Sequence, residues 1–405
     1  DVYKRQLIGS LIAAPLFGLI GRKAMARKAD RPHVVVVGAG AFGGWTALYL
    51  LRAGVRVTLV DAWGPGHTRA SSGGETRVIR HAYSDPRYVE LARRSLDLWR
   101  EWATAWQRPL FHETGVLFLR QEDHAEAFFE RATGHLVAAS VPHETLDVDE
   151  IAARYPQLNA NGLAGGLFEP TGGYLLARRA CDAVAEAVQA TGGELRIATA
   201  RPGPMRSGMM KTVTLGDGEQ LTADSFVFAC GPWLGSLFPE LLAARLRVTR
   251  QEVYYFGTPA GDRRYAPPAL PVWAVFGERL WYGIPGGERR GFKLADDTNG
   301  PAFEPTAGNR RVDDDGVRRA RAFVGERFPG LAEAPFTGGR VCQYTNTPDG
   351  DFIVDRHPEA GNLWLVGGGS GHGFKHGPAR GELVAAQVLD RQPAPPAFGL
   401  ARFTG

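Results

Sequence analysis

Cysteine is scarce in this 405-residue chain, which has only Cys181, Cys230 and Cys342. An odd number without paired spacing argues against a disulfide framework, and the lack of a C-x-x-C pair removes the usual zinc signature. No short-period repeat or biased tract is present. The 52 glycines therefore read as turns and close backbone approaches, not disorder. Excess charge is also missing from the body of the chain: the formal net charge is +4, of which +3 lies in residues 1–26. A nucleic-acid binder needs a basic face on its folded part, and this balance supplies none. Nor is any apolar run long enough to anchor the mature chain in a membrane, since stretch 7–20 has 14 residues where about 20 are needed.

That short stretch has another reading. Lys4-Arg5 precedes it and Ala24-Met25-Ala26 follows it, the layout of a basic n-region, an apolar h-region and a small-residue cleavage site. Residues 1–30 are expected to be a leader, twin-arginine-like, directing export to the periplasm. The alternative is a cytoplasmic protein with a frayed leader.

Beyond residue 30 the length suits two domains, or one with a large insertion. Four consecutive valines, Val34 to Val37, suit a strand buried on both faces of a parallel sheet. Gly38-Ala39-Gly40-Ala41-Phe42-Gly43 follows, then a helical pattern over 45–52 and a second strand over 55–60 ending in Asp61. A helix is predicted from Pro86 with Ser84 or Asp85 as cap, and another, alanine-rich, over 174–190. Strands are predicted near 114–119, 225–229 and 363–366, and a last helix over 378–389. Residues 246–335 read as strand-rich.

The first glycine pattern has specific physical content. Gly38 allows the tight turn, Gly40 lets a pyrophosphate approach the backbone, and Gly43 lets helix and sheet pack closely. The helix N-terminus offers unpaired N–H groups to phosphate, and Asp61 is placed to accept from ribose hydroxyls. This fingerprint does not separate NAD from FAD. The far end of the chain does: strand 363–366 runs into Gly367-Gly368-Gly369-Ser370-Gly371-His372-Gly373-Phe374-Lys375, a second strand–glycine–helix junction. An extended dinucleotide whose ring lies far from the first turn needs such a second cradle. Lys375 and the helix dipole behind it would stabilise negative charge on a reduced flavin.

With both ends in hand, four patches carry a resemblance. They are residues 74–83 (GETRVIRHAY), Phe168-Glu169-Pro170 with Gly172-Gly173, residues 342–352 (CQYTNTPDGDF), and residues 370–375 (SGHGFK). In this order they resemble the monomeric sarcosine oxidase and N-methyltryptophan oxidase family, within the D-amino-acid-oxidase-like FAD-dependent oxidoreductases, over roughly 33–390. The resemblance implies an α/β fold: a Rossmann-type FAD-binding domain (31–110, 165–245, 335–393) with an inserted antiparallel-sheet substrate domain (111–164, 246–334).

The resemblance also assigns residues. The cofactor is FAD, touched by Gly38, Gly40, Gly43, Asp61, Thr76, Arg77, Gly369, Gly371, His372 and Lys375, and bonded at its 8α-methyl to Cys342. A thiolate beside an electron-poor ring is a suitable nucleophile for that bond; a small buried core thiol is the alternative. Arg80 and Lys375 would hold a substrate carboxylate, orienting a C–H bond over flavin N5. Lys293 would stabilise the superoxide formed as O₂ is reduced. Trp281, Tyr282 and Tyr344 would line the substrate cavity, although aromatics in strands are equally suited to a core. The expected reaction is amine oxidation, with imine hydrolysis and H₂O₂ release. A dehydrogenase with another acceptor, or a flavin binder without turnover, are the alternatives, and a monomer without bound metal is expected.

Two departures stand out. Gly73 and Asp296-Asp297 occupy positions where the family often has histidine. The two carboxylates could pair with Lys293 or bind a cationic substrate. His372 and His376, four apart, fall in the glycine-rich turn region and are not read as metal ligands.

Overall fold

The structure, a computed structural model, describes residues 31–287, 290–390 and 395–403. The leader expected over 1–30 lies outside them. Among the described residues no helix is long and apolar enough to cross a membrane.

Two sheets organise the chain. The first has six strands in the order Ile353–His357, Ala360–Gly367, Ser225–Phe228, His33–Val37, Arg56–Asp61, Glu194–Ile197. All neighbours are parallel except the outer pair, Ile353–His357 with Ala360–Gly367. The four valines sit at the centre and are 0–6% exposed, because both faces of a parallel sheet are covered. Helix Ala41–Arg52 packs between Ala177–Ala190 and Gly377–Val388. The chain therefore returns to its first nucleotide-type unit at its very end. This is the Rossmann-type layer expected.

The second sheet has eight strands: Phe336–Asn346, Arg247–Phe256, Phe292–Asp296, Leu280–Ile284, Val272–Phe276, Val116–Gln121, Leu163–Glu169, Glu144–Leu146. It is antiparallel except where Val272–Phe276 runs parallel to Val116–Gln121, a departure from a purely antiparallel insertion. Strands Leu163–Glu169 and Phe336–Asn346 carry this sheet across the boundaries expected at 165 and 335. Helix Asp314–Arg327 covers its back, within a region expected only to be strand-rich. Polarity hides that helix: its apolar stripe is reduced to Val317, Ala320, Phe323 and Val324 among arginines and acids.

Local chemistry explains most boundaries. Asp85 accepts from Arg87 N at 2.8 Å and Pro86 opens helix Pro86–Ala105, a cap worth about 1 kcal/mol. The alanine-rich helix begins at Ala177, later than expected, because Gly173–Leu176 pairs instead with Thr76–Ile79 and Phe111–Glu113 in a three-stranded sheet. Sheet pairing overrides the helical propensity there. This small sheet brings residues 76–80 against the eight-stranded one.

Candidate active site

Gly38 turns the first strand at φ +106°, and a Cβ there would lie 2.3 Å from Ala229 O. A Cβ on Gly43 would lie 1.9 Å from Gly38 O, so neither turn nor helix contact tolerates a side chain. Gly38 and Gly40 open onto a cleft with about 1750 Å³ of empty space, also lined by Asp61, Arg77, Cys342, Tyr344, Gly369 and Gly371. Both glycine junctions thus face one cleft, though they lie more than 300 residues apart.

Asp61 is more engaged than expected. Its carboxylate accepts from Ala39 N (2.8 Å), Trp63 N and Gly64 N (both 2.9 Å), tying the second strand to the first turn. Trp63 and Trp233, ring centroids 4.7 Å apart, line the cleft as well and offer flat apolar surfaces suited to a purine. Ser72 Oγ accepts from Ala41 N at 3.0 Å, leaving later first-turn amides for phosphate. A cleft reaching from a helix N-terminus to a glycine cradle fits an extended dinucleotide. The residues present fit FAD.

Strand alternation sorts the other half of the site. Lys293 lies on the opposite face of its strand from Phe292 and Leu294, which are buried in the core behind the sheet. Trp281 belongs to that core too, stacked 4.9 Å from Phe323, so it does not line the cavity; Tyr282, its neighbour, points the other way. Cys342 and Tyr344, two apart on Phe336–Asn346, both reach the cleft. Gly371, at φ +79°, leaves room for the Tyr344 ring, which a Cβ would approach to 2.8 Å.

Lys293 is 3% exposed, and Nζ donates to Thr76 O (2.9 Å) and Thr76 Oγ1 (3.1 Å). Burial, reinforced by the Arg77 guanidinium, holds its ammonium well below the usual lysine range. Neither Asp296 nor Asp297 pairs with it, contrary to one expectation: Asp296 pairs with Arg279 at 2.5 Å. Arg77 donates to Ser71 O at 2.6 Å and to Cys342 Sγ at 3.4 Å. Cys342 therefore has a fixed cation beside its sulfur. Cys181 and Cys230 bond instead to the backbone carbonyls of Ser72 and Val37, and burial pushes Cys181 up to about 12 and Cys230 higher; they pack as ordinary thiols.

Lys375 is 5% exposed and donates to Tyr83 OH (2.9 Å) and His372 O (3.2 Å). Burial, then Arg80, holds it well below the usual range. Arg80 donates to Ala82 O and stacks on the Tyr83 ring at 4.0 Å. Among the described residues, neither cation has a carboxylate within ion-pair distance. Glu169, fully buried, accepts from His81 N (2.7 Å) and Ala82 N (2.6 Å), fixing the turn that aims Arg80. The side chains of His372 and His376 both bond Tyr83 OH, at 3.3 and 3.0 Å. Burial, then Lys375, keeps both neutral, His372 down to about 3. The His372 ring lies against Phe352, at 4.8 Å, and it is the neighbouring glycines that reach the cleft.

Tyr83 and Glu169 were not singled out as functional from the sequence. Both stand in the patches that carried the resemblance, which was the available signal.

Comparison with known proteins agrees with this geometry. Residues 33–387 match the family described as FAD dependent oxidoreductase (DAO). The monomeric sarcosine oxidase of Bacillus sp. (strain B-0618) is 34% identical over 88% of this chain and 92% of its own length. The N-methyl-L-tryptophan oxidase of Yersinia pestis (strain Pestoides F) is 31% identical over 91% and 99%. In fold, the L-proline dehydrogenase from P. horikoshii superposes with a TM-score of 0.80 over 92% of this chain and 98% of that one, at 20% identity. From its first glycine turn to its last helix, this chain belongs to the DAO family of FAD-dependent oxidoreductases.

Proposed function

We propose that this protein is an amine oxidase acting on an amino acid with a primary, N-methyl or cyclic amine, using O₂ and releasing H₂O₂. When bound, FAD supplies the two-electron acceptor for hydride leaving the carbon beside nitrogen. The six-stranded layer serves as the FAD-binding part and the eight-stranded sheet as the substrate side. Gly38, Gly40, Gly43 and Asp61 would hold the nucleotide end of FAD; Thr76, Arg77, Gly369, Gly371, the His372 segment and Lys375 would lie toward its ring.

The observation carrying this reading is the pair Arg80, half-buried, and Lys375, buried, neither with a carboxylate in ion-pair distance among the described residues. Unpaired buried charge is costly, and a substrate carboxylate balances it. Held there, the substrate is oriented by a fork and a point charge, with Tyr282 and Tyr344 as walls. Lys293, on the Thr76 side, stabilises negative charge on oxygen. The imine product hydrolyses in water.

The test is anaerobic titration of the yellow holoenzyme with N-methyl, cyclic and primary amino acids, followed by peroxide measurement in air. Bleaching with stoichiometric H₂O₂ on aeration is expected. Bleaching without peroxide makes the protein a dehydrogenase with another acceptor, and no bleaching by any amine removes the reading.

Cys342 is proposed to carry the flavin covalently. In acid precipitate of the wild type the flavin should stay with the polypeptide, and in Cys342→Ser it should appear in the supernatant. Quantitative release from the wild type would reject the bond. Export through the leader at 1–30 is proposed on its sequence alone, and N-terminal sequencing of protein from its native host decides it.

A further inference from the structure

Four carboxylates stand near the four cations of this site, and three are already committed. Glu75 pairs with Arg178 at 3.4 Å and Arg290 at 2.7 Å. Glu169 is consumed by the backbone amides of residues 81 and 82. Asp296 faces away, bonded to Arg279 and to Thr298 N. The fourth, Asp297, is turned inward. Its backbone N donates to Leu280 O at 2.7 Å, fixing it at the end of strand Phe292–Asp296. Its Oδ1 accepts from Tyr344 OH at 2.5 Å. Its Oδ2 has no hydrogen-bond partner among the described residues.

We infer that Asp297 is the group that binds the positive charge of the substrate amine, so that the site takes up amino acids as zwitterions, whose ammonium then gives one proton to solvent before the neutral amine releases hydride. The inference rests on the carboxylate-anchoring reading above and deepens it. In an α-amino acid the ammonium lies one carbon from the carboxylate, so a carboxylate seated on Arg80 and Lys375 puts the nitrogen close beside its anchor. Asp297 lies within electrostatic range of both anchors, yet forms an ion pair with neither. Tyr344 spends its proton on Oδ1, so Oδ2 presents an acceptor and no donor. An ammonium or alkylammonium satisfies such an acceptor in charge as well; an N-acyl nitrogen, neutral with one N–H, does not. Burial raises the Asp297 carboxyl above its ordinary range, opposed by the Tyr344 hydrogen bond, Arg80 and Lys375. A cation arriving at Oδ2 would favour its ionised form further.

Two unreactive ligands of equal shape test this on the FAD-loaded protein by calorimetry. Trimethylglycine carries a carboxylate and a permanent positive charge; 3,3-dimethylbutanoate is its carbon isostere without that charge. The wild type should prefer trimethylglycine by about tenfold, equivalent to ~1.4 kcal/mol. Asp297→Asn should remove the preference without weakening 3,3-dimethylbutanoate. No preference in the wild type, or one unchanged in Asp297→Asn, overturns the inference. If Asp297→Asn fails to hold flavin, the wild-type ratio decides alone. Failure of both ligands to bind is a different result: it defeats the carboxylate anchor, and this inference with it.

Discussion

Lys293→Met is expected to slow reoxidation of the reduced enzyme by O₂ by about 10²–10³-fold, the usual cost of removing one fixed donor from developing negative charge. Anaerobic reduction by substrate should change far less. The asymmetry follows from where the ammonium sits. Lys293 stands on the eight-stranded sheet, held by Thr76 of the three-stranded one, with Arg77, Arg340 and Glu75 as its charged neighbours, and two hydrogen bonds leave the third N–H of its ammonium to act on an anion. Methionine preserves the stem volume, so packing changes little. Stopped-flow measurement of both half-reactions checks this, and equal slowing of both would remove Lys293 from oxygen chemistry. The pH dependence has a definite sign. Because burial and Arg77 lower the Lys293 pKa, its charge is lost at a pH below the usual lysine value. Wild-type reoxidation should therefore fall as pH rises through that lowered pKa, and Lys293→Met should show no such limb.

Arg80→Met should reduce kcat/KM by ~30-fold or more, since losing one partner of a desolvated, hydrogen-bonded charge pair costs about 2–5 kcal/mol. The loss should appear for every substrate bearing a carboxylate and be much smaller for an amine lacking one. Steady-state kinetics with an amino acid and its decarboxylated analogue separate the two cases. A uniform loss across both would mean that Arg80 supports the loop, through Ala82 O and the Tyr83 ring, and not the substrate. Lys375 adds a pH signature of its own. Its ammonium is depressed by burial and by Arg80, so carboxylate binding should weaken as pH rises through that depressed value. Substrate carboxylate raises the same pKa, which moves the limb upward in the complex.

The fold was readable where local chemistry and long-range pairing agree. The valine run, the Gly38–Gly43 turn, the Asp85-Pro86 start and the second glycine junction each need particular residue types, and each stands where expected. Reading failed where pairing competes with propensity. Residues 174–176 look helical but complete a strand pair with 76–79, and helix Asp314–Arg327 is too polar to announce itself beside a strand-rich stretch. Trp281 and Tyr282 show the same limit on a smaller scale: adjacent aromatics were assigned together, and the two-residue period of a strand sends them to opposite faces.

The sequence by itself determined the kind of molecule: two glycine junctions for one dinucleotide, encoded in residue type and spacing, with the candidate cations and the candidate thiol assigned through the patches that carry the family resemblance. Only the tertiary structure decided which charges meet. It gave Cys342 its Arg77, left Arg80 and Lys375 without a carboxylate in ion-pair distance among the described residues, and separated Asp297 from its neighbour Asp296. Such pairings depend on strand parity and on contacts between segments hundreds of residues apart, and the energy of a charge is set by the partners and burial that this packing provides.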